Sequence, residues 1–217
     1  MPPSNPDDAA WIEGATQVHD FTVDSLFLIA PHIQFCDEQT GRIIPGEAEH
    51  LPIPDLPFIQ PEWVTASSLH GQEDELIRHY KRIFAAFAQH GRSAQLRPRS
   101  NQFWLKPAIV ENGAILTRCS WYDTVPEAEA LLQALIGAAH APDGEVWDDL
   151  DQGWAIRIVK SGGMTCLAEW NWEDGETAPA GYVFNAAKMA QRATVALTEL
   201  RALHETLVET FGCDWWS

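Results

Sequence analysis

Two segments in the second half of the chain share one order of elements: an apolar stretch, a glycine turn, a second apolar stretch and then a helix. AIVENGAILTRCSW (108–121) aligns with RIVKSGGMTCLAEW (157–170) at an Ile, a Val, a Gly and a Trp. Asn and Gly in the two turns supply the positive φ that tight hairpins need. The sequence therefore predicts an α+β fold, in which an antiparallel sheet of β-hairpins has helices packed on one face.

Three helices are predicted from the spacing of apolar residues. The first begins at Glu73 and ends before Gly91, which stands at the C-cap position. The second follows a capping box, Thr124-x-x-Glu127. The third covers about 184–211 and carries apolar residues at alternating spacings of three and four.

The first half of the chain is less regular. FTVDSLFLIAPHIQF (21–35), a turn-like stretch at 37–41 and Arg42-Ile43-Ile44 predict a β-hairpin. Prolines then recur from Pro45 to Pro61 and interrupt both helix and central strand. We therefore expect residues 45–62 to form an extended surface segment.

These elements divide the chain into a loose N-terminal segment at 1–18 and a single α+β domain at 19–217. A degenerate hairpin-helix repeat at 104–140 and 154–211 would account for the order of elements in the second half. A chain of 217 residues is long enough to bury a sizeable core.

The formal net charge of −17 is unevenly distributed. Residues 1–75 carry fourteen acidic residues and one basic residue, 76–106 carry seven basic residues and no acidic one, and 107–217 carry seventeen acidic and six basic residues. Binding to nucleic acid or anionic lipid depends on cations, so this charge disfavours both. The N-terminus lacks the pattern of a secretory signal, and the longest apolar run, Leu26–Ala30, is too short to span a bilayer. We therefore expect a cytoplasmic protein.

Residues 78–106 form a basic segment between two acidic ones. Its simplest interpretation is the solvated face of the 73–90 helix and a loop, both paired with acidic neighbours. The alternative is a site in which Arg97, Arg99 or Lys106 holds an anionic substrate. No glycine-rich phosphate loop accompanies these cations. This alternative predicts a small-molecule enzyme or binding protein with a deep pocket lined by polar groups.

Tryptophans stand among acidic residues in two segments, 143–151 and 169–176. Carboxylates attract a basic partner but contribute little affinity individually, whereas a desolvated Trp contributes much of the binding energy. For Trp170 and Trp172 an alternative stays open, because alternate positions on a strand would place both rings in the core. The predicted partner-binding residues are Trp147 as an anchor, with Asp148, Asp149, Asp151, Glu173 and Asp174.

The sequence contains no motif of a known catalytic or metal site. G-x-S-x-G is absent, and HETLV at 204–208 lacks the second His of a zinc-binding H-E-x-x-H. Asp148-Asp149-x-Asp151 lacks the Gly and the distal Glu of an EF-hand and is interpreted as a solvated acidic turn. The four cysteines are interpreted as buried free thiols, and His79 and His90 as surface residues. We therefore predict no catalytic residues, no metal and no cofactor, and a protein that is not an enzyme.

One stretch carries a family resemblance. GWAIRIVKSGGMTCLAEWNWEDGE (153–176), followed by the long C-terminal helix, resembles the cytoplasmic immunity proteins of bacterial polymorphic toxin and contact-dependent or type VI secretion systems. The resemblance covers roughly 102–211. It implies a small acidic α+β protein that neutralises a cognate toxin, often a basic nuclease, by occluding its active site.

The expected partner is therefore a basic protein toxin, with no nucleic acid and no membrane as partner, and the protein is expected to be a monomer or a homodimer. The small-molecule protein described above is the first alternative. The second is a structural or assembly subunit, whose long C-terminal helix would form the interface.

Overall fold

The computed structural model describes residues 8–37, 40, 42–151, 153–171 and 181–217. The α-helices in these ranges are α1 (Asp8–Glu13), α2 (Glu73–Gln89), α3 (Val125–Gly137) and α4 (Ala186–Phe211). The β-strands are β1 (Thr16–Gln17), β2 (Thr22–Leu28), β3 (His32–Cys36), β4 (Ile43–His50), β5 (Phe58–Gln60), β6 (Trp63–Thr65), β7 (Leu105–Glu111), β8 (Ala114–Thr117), β9 (Gly144–Asp151), β10 (Trp154–Ser161), β11 (Met164–Asn171) and β12 (Gly181–Asn185). The predicted fold class is confirmed, because helices pack on sheets whose strand pairs are mostly antiparallel.

The chain divides into two compact units. The first contains the described residues of Met1–Asp24, Lys106–Tyr122 and Pro126–Thr198. The second contains those of Ser25–Leu105, Asp123–Val125 and Glu199–Ser217. Among the described residues, no helix is both long enough and apolar enough to cross a bilayer.

A five-stranded sheet with the order β1-β12-β11-β10-β9 forms the centre of the first unit. β10 and β11 are the predicted second hairpin, and Gly162 and Gly163 connect them at φ of 52° and 84°. The predicted first hairpin is β7 with β8, which turns at Asn112 and Gly113 with φ of 50° and 77°. Both turns therefore have the positive φ that their residue types favour.

Both faces of β10 and β11 are buried. Ile158 and Leu167 lie opposite each other on one face and are fully buried. On the other face, Trp11 of α1 packs on Ala155, Val159, Cys166, Ala168 and Trp170. Trp170 therefore lies in the core, as the alternative for that residue predicted, while Trp172 lies outside the described residues.

The second unit contains the β-hairpin predicted in the first half of the chain and the first long helix. β3 and β4 pair as the predicted hairpin, and β5, β6 and β2 are antiparallel neighbours in another sheet. α2 covers Glu73–Gln89 and is followed by Gly91 at φ of 67°, as its spacing and C-cap predicted. Helix α4, predicted at 184–211, covers Ala186–Phe211.

Residues 45–62, predicted to form an extended segment without a central strand, contain most of β4, which includes Pro45, and all of β5. Both strands lie at the edge of a sheet. Between the pairs Cys36–Ile43 and Gln34–Ala48 the register shifts, so that four residues of β4 stand against one of β3. The backbone bends there, with Gly46 at φ of 83°. A proline is tolerated in such a bulge because the ladder needs no N–H from it.

The C-terminus completes the core of the second unit. Trp216 is 1% exposed, and its ring lies 5.1 Å from that of Tyr80, 5.6 Å from that of Phe103 and 5.9 Å from that of Phe211, measured between centroids. The buried face of α2 includes a polar residue as well as apolar ones. His79 is fully buried on it, so the prediction of a surface position is wrong for this residue.

Candidate functional site

The acidic segment around Trp147 is a β-strand. The sequence predicts a solvated turn for Asp148, Asp149 and Asp151, and this is wrong, because the structure places them in β9. β9 pairs with β10 on one side and ends the sheet order, so within the described ranges its other edge pairs with no strand. Such an edge presents unpaired N–H and C=O groups to any approaching chain.

Successive residues of β9 point to opposite faces of the sheet. Trp147 lies opposite Ile158 and Asp149 opposite Ile156, whereas Asp148 lies opposite Arg157. Because paired residues share a face, Trp147 and Asp149 belong to one face and Asp148 to the other. Trp147, Asp148 and Asp149 therefore do not form a single patch but lie on both faces of the sheet beside its edge.

Asp148 is bound to a buried cation. The Nη2 atom of Arg157 donates to Asp148 Oδ2 at 3.0 Å and to Glu145 Oε2 at 3.1 Å. The Arg157 side chain is 8% exposed, whereas those of Asp148 and Glu145 are 33% and 52% exposed. A guanidinium this deeply buried needs anionic partners, so Asp148 also supports the fold.

On the opposite face, Asp149 and Trp147 are joined through Tyr122. The Tyr122 hydroxyl donates to Asp149 Oδ2 at 2.7 Å, and the Trp147 indole Nε1 donates to the Tyr122 oxygen at 2.7 Å. Burial raises the pKa of Tyr122, and its hydrogen bond to Asp149 raises it further. Tyr122 therefore stays a neutral donor at physiological pH, and the chain of bonds fixes the Trp147 ring.

Beside Tyr122, the chain is held in a conformation that the sequence gives no sign of. Cys119 and Trp121 have positive φ, 41° and 69°, which is rare for residues with large side chains. The Glu169 carboxylate accepts hydrogen bonds from the backbone N–H groups of Arg118 at 2.9 Å and Ser120 at 3.1 Å. It also accepts one from the indole Nε1 of a neighbouring strand residue, Trp154, at 2.8 Å.

The backbone that Glu169 holds in this conformation exposes the side chain of Trp121, which the predicted site did not include. Trp121 is 40% exposed, although tryptophan is usually well covered. A strained backbone at an exposed aromatic residue is typical of recognition sites. The only sequence signal was the alignment of Trp121 with Trp170, and Trp170 is buried.

The cysteines provide no nucleophile in this region. Cys119 is 1% exposed, and burial, followed by the nearby charge of Glu169, raises the pKa of its thiol well above the usual value. Burial also raises the pKa of Cys166. Because the thiolate is the reactive form, both thiols are chemically protected. Cys36 is half-buried and Cys213 exposed, so the interpretation of all four as buried thiols is wrong for these two.

Part of the predicted site lies outside the described residues, namely Glu173, Asp174 and the side chain of Asp151. The strand contributes one further exposed residue, Leu150, which is 51% exposed. Its aliphatic side chain stands among the acids of β9 and was not predicted. Leu150 adds apolar area to an otherwise charged edge.

The basic segment is distributed among different environments. Arg78 pairs with Glu75, Arg92 pairs with Glu47 at 2.6 Å, and His90 contacts Glu49 at 2.8 Å. This pairing with acidic neighbours is the simpler of the two interpretations given above. Of the three candidate anion ligands, Arg97 lines a cavity of the second unit. Arg99 is in a turn at φ of 64°, and Lys106 lies on β7 in the first unit.

Comparison with protein-family models, with curated proteins and with solved structures finds no match for this chain. Within the ranges that the structure covers, no cluster of three or more His, Cys, Asp or Glu side chains is arranged to hold a metal ion. The edge of β9, together with Trp121 and Tyr122, is therefore the candidate functional site. We call this set of residues, 121–122 and 144–151, the β9 surface.

Proposed function

We propose that this protein is an immunity-type inhibitor, which acts in the cytoplasm and neutralises a basic protein toxin by covering the toxin's active site with the β9 surface. The observation that carries the proposal is the position of the acidic, Trp-bearing segment on the edge strand of a sheet. An extended segment of the partner can add to such an edge by backbone hydrogen bonds.

The charge of the β9 surface supports a basic partner. Glu145, Asp148 and Asp149 all lie on β9. The cation that pairs with Glu145 and Asp148 is Arg157, and it is buried. Carboxylates at the rim of an interface raise the rate of association with a positively charged protein and exclude acidic ones. The complex is therefore expected to weaken as salt is added.

The apolar residues of the β9 surface supply the affinity that rim charges lack. Trp121 and Leu150 are the large exposed apolar side chains there, at 40% and 51% exposure. Trp147 is held in place by its bond to Tyr122. An anchor that is already fixed loses little conformational entropy on binding, which is where preorganised interfaces gain affinity.

The test uses the product of the neighbouring open reading frame as the candidate toxin. It is expressed with and without this protein, growth is scored, and the purified pair is mixed to measure stoichiometry and Kd. Leu150→Lys adds a cation and removes the apolar contact at the β9 surface. Val195→Lys on α4 is the matched control, because Val195 is 52% exposed.

We expect wild type and Val195→Lys to restore growth and to form a one-to-one complex. Leu150→Lys should weaken the complex about tenfold or more, which corresponds to about 1.4 kcal/mol. Circular dichroism and thermal unfolding check that both variants remain folded. A toxic neighbour that binds Leu150→Lys as tightly as wild type, or a neighbour without toxicity, would contradict the proposal.

A further inference from the structure

A cavity of about 680 Å³ lies wholly within the second unit. Side chains of alternate β3 residues, His32, Gln34 and Cys36, line one side, as the two-residue period of a strand requires. The chain after α2 lines another side with Arg97 and Gln102. A volume of this size falls within the range of small-molecule sites, about 300–1,000 Å³.

The two sides are tied together by hydrogen bonds, so the cavity is formed in advance. The Gln95 amide pairs with the Cys36 backbone, accepting from its N–H at 3.3 Å and donating to its C=O at 2.8 Å. The Nη1 atom of Arg92 donates to the same carbonyl at 2.8 Å, and its Nη2 binds Glu47 at 2.6 Å. Ordering these walls would therefore cost little of the free energy of ligand binding.

Two polar side chains of the cavity have unused hydrogen-bonding capacity. Gln102 is nine-tenths buried, and within the described residues its amide has no hydrogen-bond partner. Over the same ranges the guanidinium of Arg97 has no ion-pair partner, because the hydrogen bonds of this residue are made by its backbone N–H and C=O with Ser100. Because Gln102 lines the cavity, its amide can donate a hydrogen bond to a ligand without giving up one within the described part of the protein.

The charge and polarity of the lining select the class of ligand. Arg97 is the cation, and the carboxylate of Asp37 is bonded to the backbone N–H and the hydroxyl of Thr40, both at 2.8 Å. One guanidinium suits a monoanion better than a phosphate dianion, which draws on several cations or N–H donors. Leu28 and Phe87 add apolar surface for an apolar ligand body.

We propose that this cavity binds a small monocarboxylic acid with an apolar body, with the carboxylate held by Arg97 and Gln102. The bidentate geometry of a guanidinium matches a carboxylate, and the amide N–H of Gln102 supplies a further donor. This inference is independent of the β9 surface. It assigns a role to Arg97, which belongs to the basic segment but does not pair with an acidic neighbour among the described residues.

Cys36 lines the cavity and serves as a reporter. In a Cys213→Ser background, which removes the exposed thiol, the rate of Cys36 alkylation is measured with phenylacetate, with the uncharged phenylacetamide and with inorganic phosphate. The variants are Arg97→Gln and Gln102→Leu. Arg78→Gln is the control, because Arg78 lies on α2 and pairs with Glu75.

We expect phenylacetate to slow alkylation of Cys36 in a saturable way and Arg97→Gln to weaken this protection about tenfold or more, as for a lost charge-assisted hydrogen bond. Gln102→Leu should weaken it less, and Arg78→Gln should leave it unchanged. Circular dichroism confirms that each variant is folded. Equal protection by phenylacetamide, stronger protection by phosphate, no protection by phenylacetate, or an unaffected Arg97→Gln variant would each overturn the proposal.

Discussion

At the scale of single residues, burial decides what a polar side chain does. His79 is fully buried, and neither ring nitrogen has a hydrogen-bond partner among the described residues. Burial, and to a lesser degree the charge of Arg82, lowers the pKa of His79 to about 4. The native protein therefore keeps this imidazole neutral at a pH where the unfolded chain has already protonated it.

The consequence is a pH-dependent loss of stability. The unfolded state binds more protons than the native state between about pH 6.5 and about pH 4, so the free energy of unfolding falls as pH decreases through this range. The full effect of this one residue is on the order of 3 kcal/mol. Urea unfolding of wild type and His79→Leu across this range measures it.

The free energy of unfolding of His79→Leu should change less steeply with pH than that of wild type, by an amount that corresponds to the uptake of up to one proton. The control is His140→Gln, because the His140 side chain is exposed and forms no ion pair among the described residues, so its replacement should leave the slope unchanged. Carboxylates contribute to the slope in all three proteins alike, so the comparison isolates the histidine. Equal slopes for wild type and His79→Leu would refute a buried neutral imidazole.

At the scale of elements, the hairpin turns are where the residue types most strongly favour one backbone conformation. Gly163 lies between β10 and β11 at φ of 84°, and a Cβ added to it would meet no atom within 4 Å. Any cost of Gly163→Ala is therefore conformational rather than steric. We expect about 1 kcal/mol of destabilisation, because an L-residue rarely adopts this φ.

Gly137 offers a matched comparison. It is the last residue of α3, its φ is not positive, and a Cβ added to it would likewise stand in open space. Gly137→Ala should therefore stabilise the protein by about 0.5–1 kcal/mol, by lowering the entropy of the unfolded chain. Opposite shifts in urea midpoint test the pair, and destabilisation of similar size in both variants would contradict the conformational explanation.

At the scale of the whole molecule, a buried tryptophan lies near each end of the sequence. Trp11 near the N-terminus packs in the first unit, and Trp216 near the C-terminus is enclosed by aromatic rings in the second. Terminal residues usually fray unless they are tied down. Here Trp11 and Trp216 hold the described residues around them in place.

Trp216→Ala should cost about 3–5 kcal/mol, because it leaves a large cavity in an aromatic core. The same substitution at Trp121, which is 40% exposed, is the control and should cost much less. Chemical unfolding followed by circular dichroism compares the two. Similar losses of stability at both positions would show that the C-terminal Trp is not a core residue in solution.

The elements predicted well are those whose signals are local. Both hairpin turns carry Gly at positive φ, and α2 and α4 follow apolar periodicity to within two residues of their predicted ends. Turn conformation and helical spacing depend on residues a few positions apart, so a single sequence contains them. The α+β class follows from these elements.

The candidate site depends on contacts that are distant in sequence. An Asp-rich segment has little intrinsic preference for a strand, and β9 forms because β10 pairs with it and because Arg157 bonds to Asp148 and Glu145. The exposed position of Trp121 depends on Glu169, and the cavity beside Arg97 on the bond between Gln95 and Cys36.

The sequence by itself therefore determined where the chain turns, where it is helical and which segments are charged, because those properties are set by neighbouring residues. The tertiary structure decided that the acidic segment is an edge strand, that His79 is buried and that Arg97 faces a cavity. The physical reason is that burial and strand pairing depend on contacts between residues that are distant in sequence. The periodicity of one segment contains no information about those contacts.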